Sequence, residues 1–167
     1  MKRGRLTRDA RRAAGVPDSE RVIAWGVGDT SAPDATVVVA TDQALYEQRT
    51  GTRVPWTDII KGTWEQPDFV VDFHGTSGLR RIRIELADPR DLPAAVRDRV
   101  TDTVVISEYR VLADDAGAHF VARREPGGGI DGINWSVVFD QGLDPADPNL
   151  RARADEVLDA LRSSLGI

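Results

Sequence analysis

Residues 69–100 read FVVDFHGTSGLRRIRIELADPRDLPAAVRDRV, and this stretch decides the fold class. Phe69, Val71 and Phe73 alternate with Val70 and Asp72. After the glycine-rich HGTSG at 74–78, Ile82, Ile84 and Leu86 alternate with Arg81, Arg83 and Glu85. A period of two on both sides of a turn predicts an antiparallel hairpin, with one face buried and a charged face in water. A helix is then predicted from Asp91, the N-cap. Pro93 lies in the first turn, where its missing N–H costs nothing, and Leu92, Val96 and Val100 recur every four residues as one apolar stripe.

The same reading extends upstream as a ladder of short strands. Glu20–Val27 places Ile23, Trp25 and Val27 on one face, and Gly28–Pro33 is a loop. Thr36–Thr41 is β-branched except for Ala40, Asp42-Gln43 turns the chain, Ala44–Arg49 runs back, and Thr50-Gly51 turns it again. Val54-Pro55-Trp56 is a brief extended piece that Pro55 confines to an edge or a bend. Ile59–Glu65 puts Ile60 and Trp64 on one face, and Gln66-Pro67-Asp68 leads into the hairpin.

Downstream the theme repeats on a smaller scale. Val104–Leu112 is a strand, Asp114–Gly117 a turn, and Ala118, Phe120 and Ala122 alternate with His119, Val121 and Arg123. Pro126–Gly132 is a loop, and Ile133, Trp135, Val137 and Phe139 alternate cleanly. The last helix has Asp147 as N-cap, Pro148 at its first position and Gly166 just past its end, with a stripe of Leu150, Ala154, Val157, Leu158, Leu161 and Leu165. The expected organisation is a flexible basic arm at residues 1–17, a barrel domain at 18–101, and a β3α subdomain at 102–167. The fold class is α+β, mainly antiparallel β.

TVVVATDQALYEQ at 36–48, followed by RVPWTDII at 53–60, resembles the bacterial pleckstrin-homology-like domains and the related GRAM domains. The resemblance covers about residues 20–101. It implies a seven-stranded, strongly bent antiparallel barrel capped by a helix, and a binding role in place of a reaction. Headgroup-binding members of that group use basic residues near the first interstrand loop. Here that loop is GVGDTSAP, with Asp29 and no Lys or Arg, and it would present a carboxylate to an anion.

Composition narrows the function classes. A chain of 167 residues is long enough to bury roughly 70% of its unfolded surface. It has no cysteine, so disulfides and thiolate chemistry are excluded. No stretch approaches the roughly 20 apolar residues of a membrane span, and no apolar core follows the basic N-terminus as in a secretory signal; the expected location is the cytoplasm. Arginine outnumbers lysine 20 to 2, which fits the codon usage of a GC-rich genome. Charge is uneven: Lys2, Arg3, Arg5, Arg8, Arg11 and Arg12 face only Asp9, leaving the first twelve residues at +5 within a chain of net −5. Such an arm can seek an anionic partner.

The chemistry-bearing residues form no set. His74 and His119 are the only histidines; HGTSG reads as a hairpin turn and lacks the G-x-S-x-G elbow of a nucleophilic serine. Pro126-Gly127-Gly128-Gly129 leads into a strand and lacks the Gly-Lys-Ser/Thr of a phosphate cradle. Asp114-Asp115 and Asp144 with Asp147 lack further ligands at metal-site spacing. Trp25, Trp64 and Trp135 read as core. Trp56, in an edge segment, is a candidate for an exposed partner contact. No catalytic residue, cofactor or metal is expected. The expected function is a non-enzymatic interaction module that binds a protein partner or self-associates, with Lys2, Arg3, Arg5, Arg8, Arg11, Arg12 and Trp56 as its contact residues. The alternatives are nucleic-acid or other polyanion binding through the arm and, third, an enzyme built on His74 or His119.

Overall fold

The computed structural model describes residues 5–28, 35–126 and 132–166. The chain divides into two compact units, Met1–Asp102 and Thr103–Ile167. Lys2, Arg3, most of the first interstrand loop with Asp29, and residues 127–131 of the second glycine-rich loop lie outside the described residues.

In the first unit a short helix, α1 (Arg8–Ala13), precedes seven strands: β1 (Val22–Val27), β2 (Val37–Thr41), β3 (Ala44–Glu47), β4 (Thr52–Pro55), β5 (Ile59–Glu65), β6 (Asp68–Gly75) and β7 (Gly78–Glu85). Helix α2 (Leu92–Thr103) follows. The strands form two antiparallel sheets, one in the order β1-β2-β3-β4 and one in the order β5-β6-β7. No ladder closes them into a continuous barrel among the described residues; beyond the two sheets there is only an isolated bridge between Val27 and Asp88.

The hairpin that decided the fold class forms, with β6 running to Gly75 and β7 starting at Gly78. Asp72 faces Arg81, and Phe69 faces Ile84. Phe69 and Val71 are completely buried, as are Leu92 and Val96 of α2. The helix stripe and the inner faces of both sheets share one core with Ala24, Val38, Leu45, Val54, Trp56, Ile59 and Leu86. Gly62 makes the close approach of α2 possible: a Cβ there would lie 2.8 Å from Cγ1 of Val96.

Two β-bulges overturn expectations about facing. The β1–β2 register shifts between Val22 and Ala24, so Ile23 packs toward the main core while Trp25 joins the opposite face. The β5–β6 register shifts between Ile59 and Lys61, and it is Ile59, completely buried, that shares the inner face with Trp64. One extra residue inverts the parity of everything beyond it, which a strict alternation cannot anticipate.

Two further corrections concern the predicted contact residues. Trp56 is not an exposed edge residue: it is 0% exposed, and its indole N–H donates to the carbonyl of Thr41 at 3.0 Å. Pro55 does end an edge strand, but the turn after it folds the indole inward. Residues 5–17 are not a free arm. Thr7 caps α1 by accepting from the Ala10 N–H at 3.2 Å. Ala14 and Val16 are buried, with Leu6, Val22 and Trp25, against the outer face of the first sheet at Val37, Val39, Ala44 and Tyr46. That sheet is therefore covered on both faces.

The second unit contains β8 (Val104–Ala113), β9 (Ala116–Arg124) and β10 (Ile133–Phe139) in one antiparallel sheet with β9 central, followed by α3 (Pro148–Leu165). Asp114 and Asp115 alone make the β8–β9 turn; Ala116 and Gly117, expected in it, belong to β9. Ala118, Phe120 and Ala122 are completely buried, and Phe120 packs with Leu112 of β8 and Leu150, Ala154 and Leu161 of α3. The side chain of Asp147 accepts from the Asn149 N–H at 2.8 Å, and Gly166 adopts φ 75° at the helix end, as the capping pattern predicts.

Candidate functional site

The first unit carries a groove of about 980 Å³ along strand β1. Its floor is Val22–Trp25. One wall is the N-terminal segment, with Arg5, Leu6, Arg11 and residues 18–21; the other is the Asp88–Asp91 connection between β7 and α2.

The floor is an open strand edge. β1 ends its sheet and pairs only with β2 on one side. On the other side Val27 exchanges both backbone bonds with Asp88, N–H to carbonyl at 2.9 Å and carbonyl to N–H at 3.0 Å. Outward-pointing backbone groups recur at every second residue of a strand. Trp25, two residues before Val27, therefore turns its own N–H and carbonyl outward, and among the described residues nothing pairs with them.

Local sequence explains why the chain does not finish this ladder. The Asp88 bridge is antiparallel, so Pro89 and Arg90 would run opposite Gly26 and Trp25. No bond to β1 is lost at Pro89, because Gly26 turns its N–H and carbonyl toward β2; the next pairing position is Arg90. Arg90 adopts φ 48°, a left-handed conformation that bends the backbone out of the strand path and into α2. Its guanidinium carbon lies 3.5 Å from the centre of the Trp25 ring, and its Nε donates to Asp88 at 2.9 Å. Trp25 is thus packed by Arg90 at the groove wall while its backbone stays available.

The opposite wall is anchored by half-buried polar bonds. Glu20 accepts from the Thr41 hydroxyl at 2.6 Å and from the Tyr46 hydroxyl at 2.8 Å, and lies 3.6 Å from the Arg53 guanidinium. Arg53 Nε in turn donates to the Tyr46 oxygen at 2.9 Å. Burial, and then the bond to Glu20, hold the Tyr46 phenol above its ordinary pKa; the bond to Tyr46 raises Arg53. Arg11 donates to the carbonyls of Pro17 and Glu20, the latter at 2.7 Å, and pairs with Asp18 at 3.9 Å. These bonds hold the segment from α1 to β1 against the sheet.

Of the predicted contact residues described, Arg5 and Arg11 come to the groove. Arg8 and Arg12 are exposed on α1 outside its lining, and Trp56 is in the core. His74 is exposed on β6, where its backbone N–H donates to the Asp58 carbonyl at 2.9 Å. His119 belongs to the other unit, on β9, with its ring 5.1 Å from that of Tyr109. Among the described residues no three His, Asp or Glu side chains gather as a metal ligand set. The glycine-rich turn after His74 is a tight hairpin, with Gly78 at φ 107°.

Sequence reasoning missed Trp25, Arg21, Pro89 and Arg90 as site residues. The available signal was Pro89, between the end of β7 at Glu85 and the start of α2 at Leu92: it marks a connection that does not run on as a strand.

No helix among the described residues is long and apolar enough to cross a membrane. Compared with family models, with curated proteins and with solved structures, the chain matches none.

Proposed function

We propose that the chain is a non-enzymatic docking module whose first unit takes an extended segment of a protein partner by adding it as a strand beside β1. The single observation that carries this reading is the outward backbone pair of Trp25 on the floor of a groove. Strand addition needs an unpaired edge, room beside it, and walls that meet alternate side chains. The β1 edge offers Trp25 for pairing, and the Val27–Asp88 bridge presets the register the incoming strand would continue. Exposed edges are ordinarily blunted, because they template unwanted pairing. Here the covering elements stand to either side of the edge and leave the groove between them.

The four-plus-three strand arrangement with a following helix supports a pleckstrin-homology-like reading of residues 18–101, whose characteristic use is binding. The rival polyanion reading loses part of its basis, because Arg11 is engaged by Pro17, Glu20 and Asp18.

The test is selection of dodecapeptides from a displayed random library on the full chain, followed by amide hydrogen exchange of the chain with and without a selected peptide. The Trp25 amide exchanges fast in the free chain and slows on binding. Trp25→Pro, which removes that N–H, abolishes binding, whereas Trp25→Phe retains it. Selected peptides that protect another surface and leave Trp25 unchanged would overturn the reading.

A further inference from the structure

The groove also has a charge preference, and it follows from which of its ionised groups already have partners. Glu20 is satisfied by Thr41, Tyr46 and Arg53. Asp18 faces Arg11, Asp88 holds Arg90, and Asp91 has a partner as well. The lining cations divide differently. Arg11 and Arg90 are engaged, but the guanidinium groups of Arg5 and Arg21 are exposed and make no hydrogen bond or ion pair among the described residues. Of the groove's acids, Asp18 stays fully exposed, 3.9 Å from Arg11, against two exposed arginines on the same wall.

From this imbalance we infer that the docked segment is acidic: an extended peptide whose backbone pairs with Trp25 and whose Asp or Glu side chains meet Arg5 and Arg21. This rests on the strand-addition reading above and adds the partner's chemistry to it. Arginine suits the role because its planar fork donates two parallel N–H bonds to a carboxylate. Leu6 and the edge of Trp25 line the same groove and offer apolar contact to side chains between the acids. The N-terminal segment would then serve binding from its seated position, as a wall of the site.

The experiment uses three capped decapeptides in which valine alternates with aspartate, glutamine or lysine, each titrated into the isotope-labelled full chain and followed through the β1 amide resonances. The aspartate peptide binds roughly three- to tenfold more tightly than the glutamine peptide, the range expected of two exposed ion pairs, and the lysine peptide binds weakest. The advantage shrinks as salt is raised. The variant carrying Arg5→Gln and Arg21→Gln loses the preference and keeps the glutamine peptide's affinity; the variant carrying Arg5→Glu and Arg21→Glu reverses the order. If aspartate and glutamine peptides bind equally, docking at the edge stands and the acidic preference is wrong. If none of the peptides shifts the β1 resonances, strand addition itself is wrong. A twelve-nucleotide oligouridine that shifts those resonances more strongly than the aspartate peptide would overturn the peptide assignment in favour of nucleic acid.

Discussion

The two units leave different things uncovered. In the first, the β1–β4 sheet is covered on both faces, by the main core and by the N-terminal segment, and the edge of β1 stays open along a groove. In the second, α3 covers one face of the sheet, and the other carries Tyr109, Val111 and Val138 at 40%, 59% and 49% exposure. The second surface is the more apolar, yet it is the less specific. Its Tyr109 hydroxyl already donates to Asp140 at 2.6 Å, and the same carboxylate oxygen accepts from the Gly117 N–H at 2.8 Å. A few exposed valines have no directional requirement, and such residues are ordinary on protein surfaces. An unpaired backbone donor and acceptor in a groove set both the direction and the register of whatever joins them. Exposed apolar area and open hydrogen-bonding capacity are separate properties, and only the second sets a direction and a register.

The strongest way to break this contrast is to compare a buried indole of the first unit with a bare valine of the second. Trp56→Ala removes a completely buried side chain and leaves the Thr41 carbonyl without its donor. The expected loss is about 3–5 kcal/mol. Val138→Ser, on the exposed face, is expected to change stability by less than about 0.5 kcal/mol. Urea unfolding of both variants checks the pair. A Trp56→Ala chain as stable as the parent would return Trp56 to the surface, and a large loss from Val138→Ser would mean that its face is covered.

A finer test addresses the packing of α2 on the second sheet of the first unit. Gly62→Ala places a methyl 2.8 Å from Cγ1 of Val96 and is expected to cost about 1–3 kcal/mol, although alanine is ordinarily the better strand residue. Val96→Ala makes room for it. The two substitutions together should therefore cost less than the sum of each alone, and a double-mutant cycle reads that coupling directly. Strict additivity would separate the two side chains.

The parts of the fold legible in the sequence are those where one periodicity runs unbroken. The β6–β7 hairpin, the stripe of α2 and the capped α3 all have that property, and they fold as read. β1 and β5 do not, because a bulge in each shifts parity, and Ile23 with Trp25, and Ile60 with Trp64, were accordingly grouped on faces they do not share. The seated N-terminal segment was illegible for another reason. Its burial relies on small residues, Ala14 and Val16, and its polar anchor Glu20 meets groups that only the folded sheet brings near, Thr41 and Tyr46. The groove was hidden because a strand's edge position depends on strand order, which no local pattern encodes. Arg5 and Arg11 were picked for their charge alone; the fold separates them by leaving one exposed and engaging the other.

The smallest expected effect compares one half-buried carboxylate in each unit. Arg81 donates to Asp72 through Nε at 2.6 Å and through a terminal nitrogen at 3.0 Å, and these bonds hold the Asp72 carboxyl below its ordinary pKa. In the second unit the Tyr109 hydroxyl, and then the Gly117 N–H, do the same for Asp140. A carboxyl with a lowered folded pKa stabilises the fold fully above its unfolded pKa of about 4, and that contribution is lost as pH falls through the folded value. Both units should therefore lose stability below about pH 4, with little change from pH 5 to 8. Asp72→Asn should flatten the acid slope of the first unit only slightly, because Arg81 is well exposed and water screens the pair. Asp140→Asn also loosens the tie between Tyr109 and the end of β10, so its effect should persist at neutral pH, where that of Asp72→Asn is nearly constant. Stability measured against pH for the two variants separates these cases: equal, pH-independent losses would mean that neither carboxyl is held low by its partner.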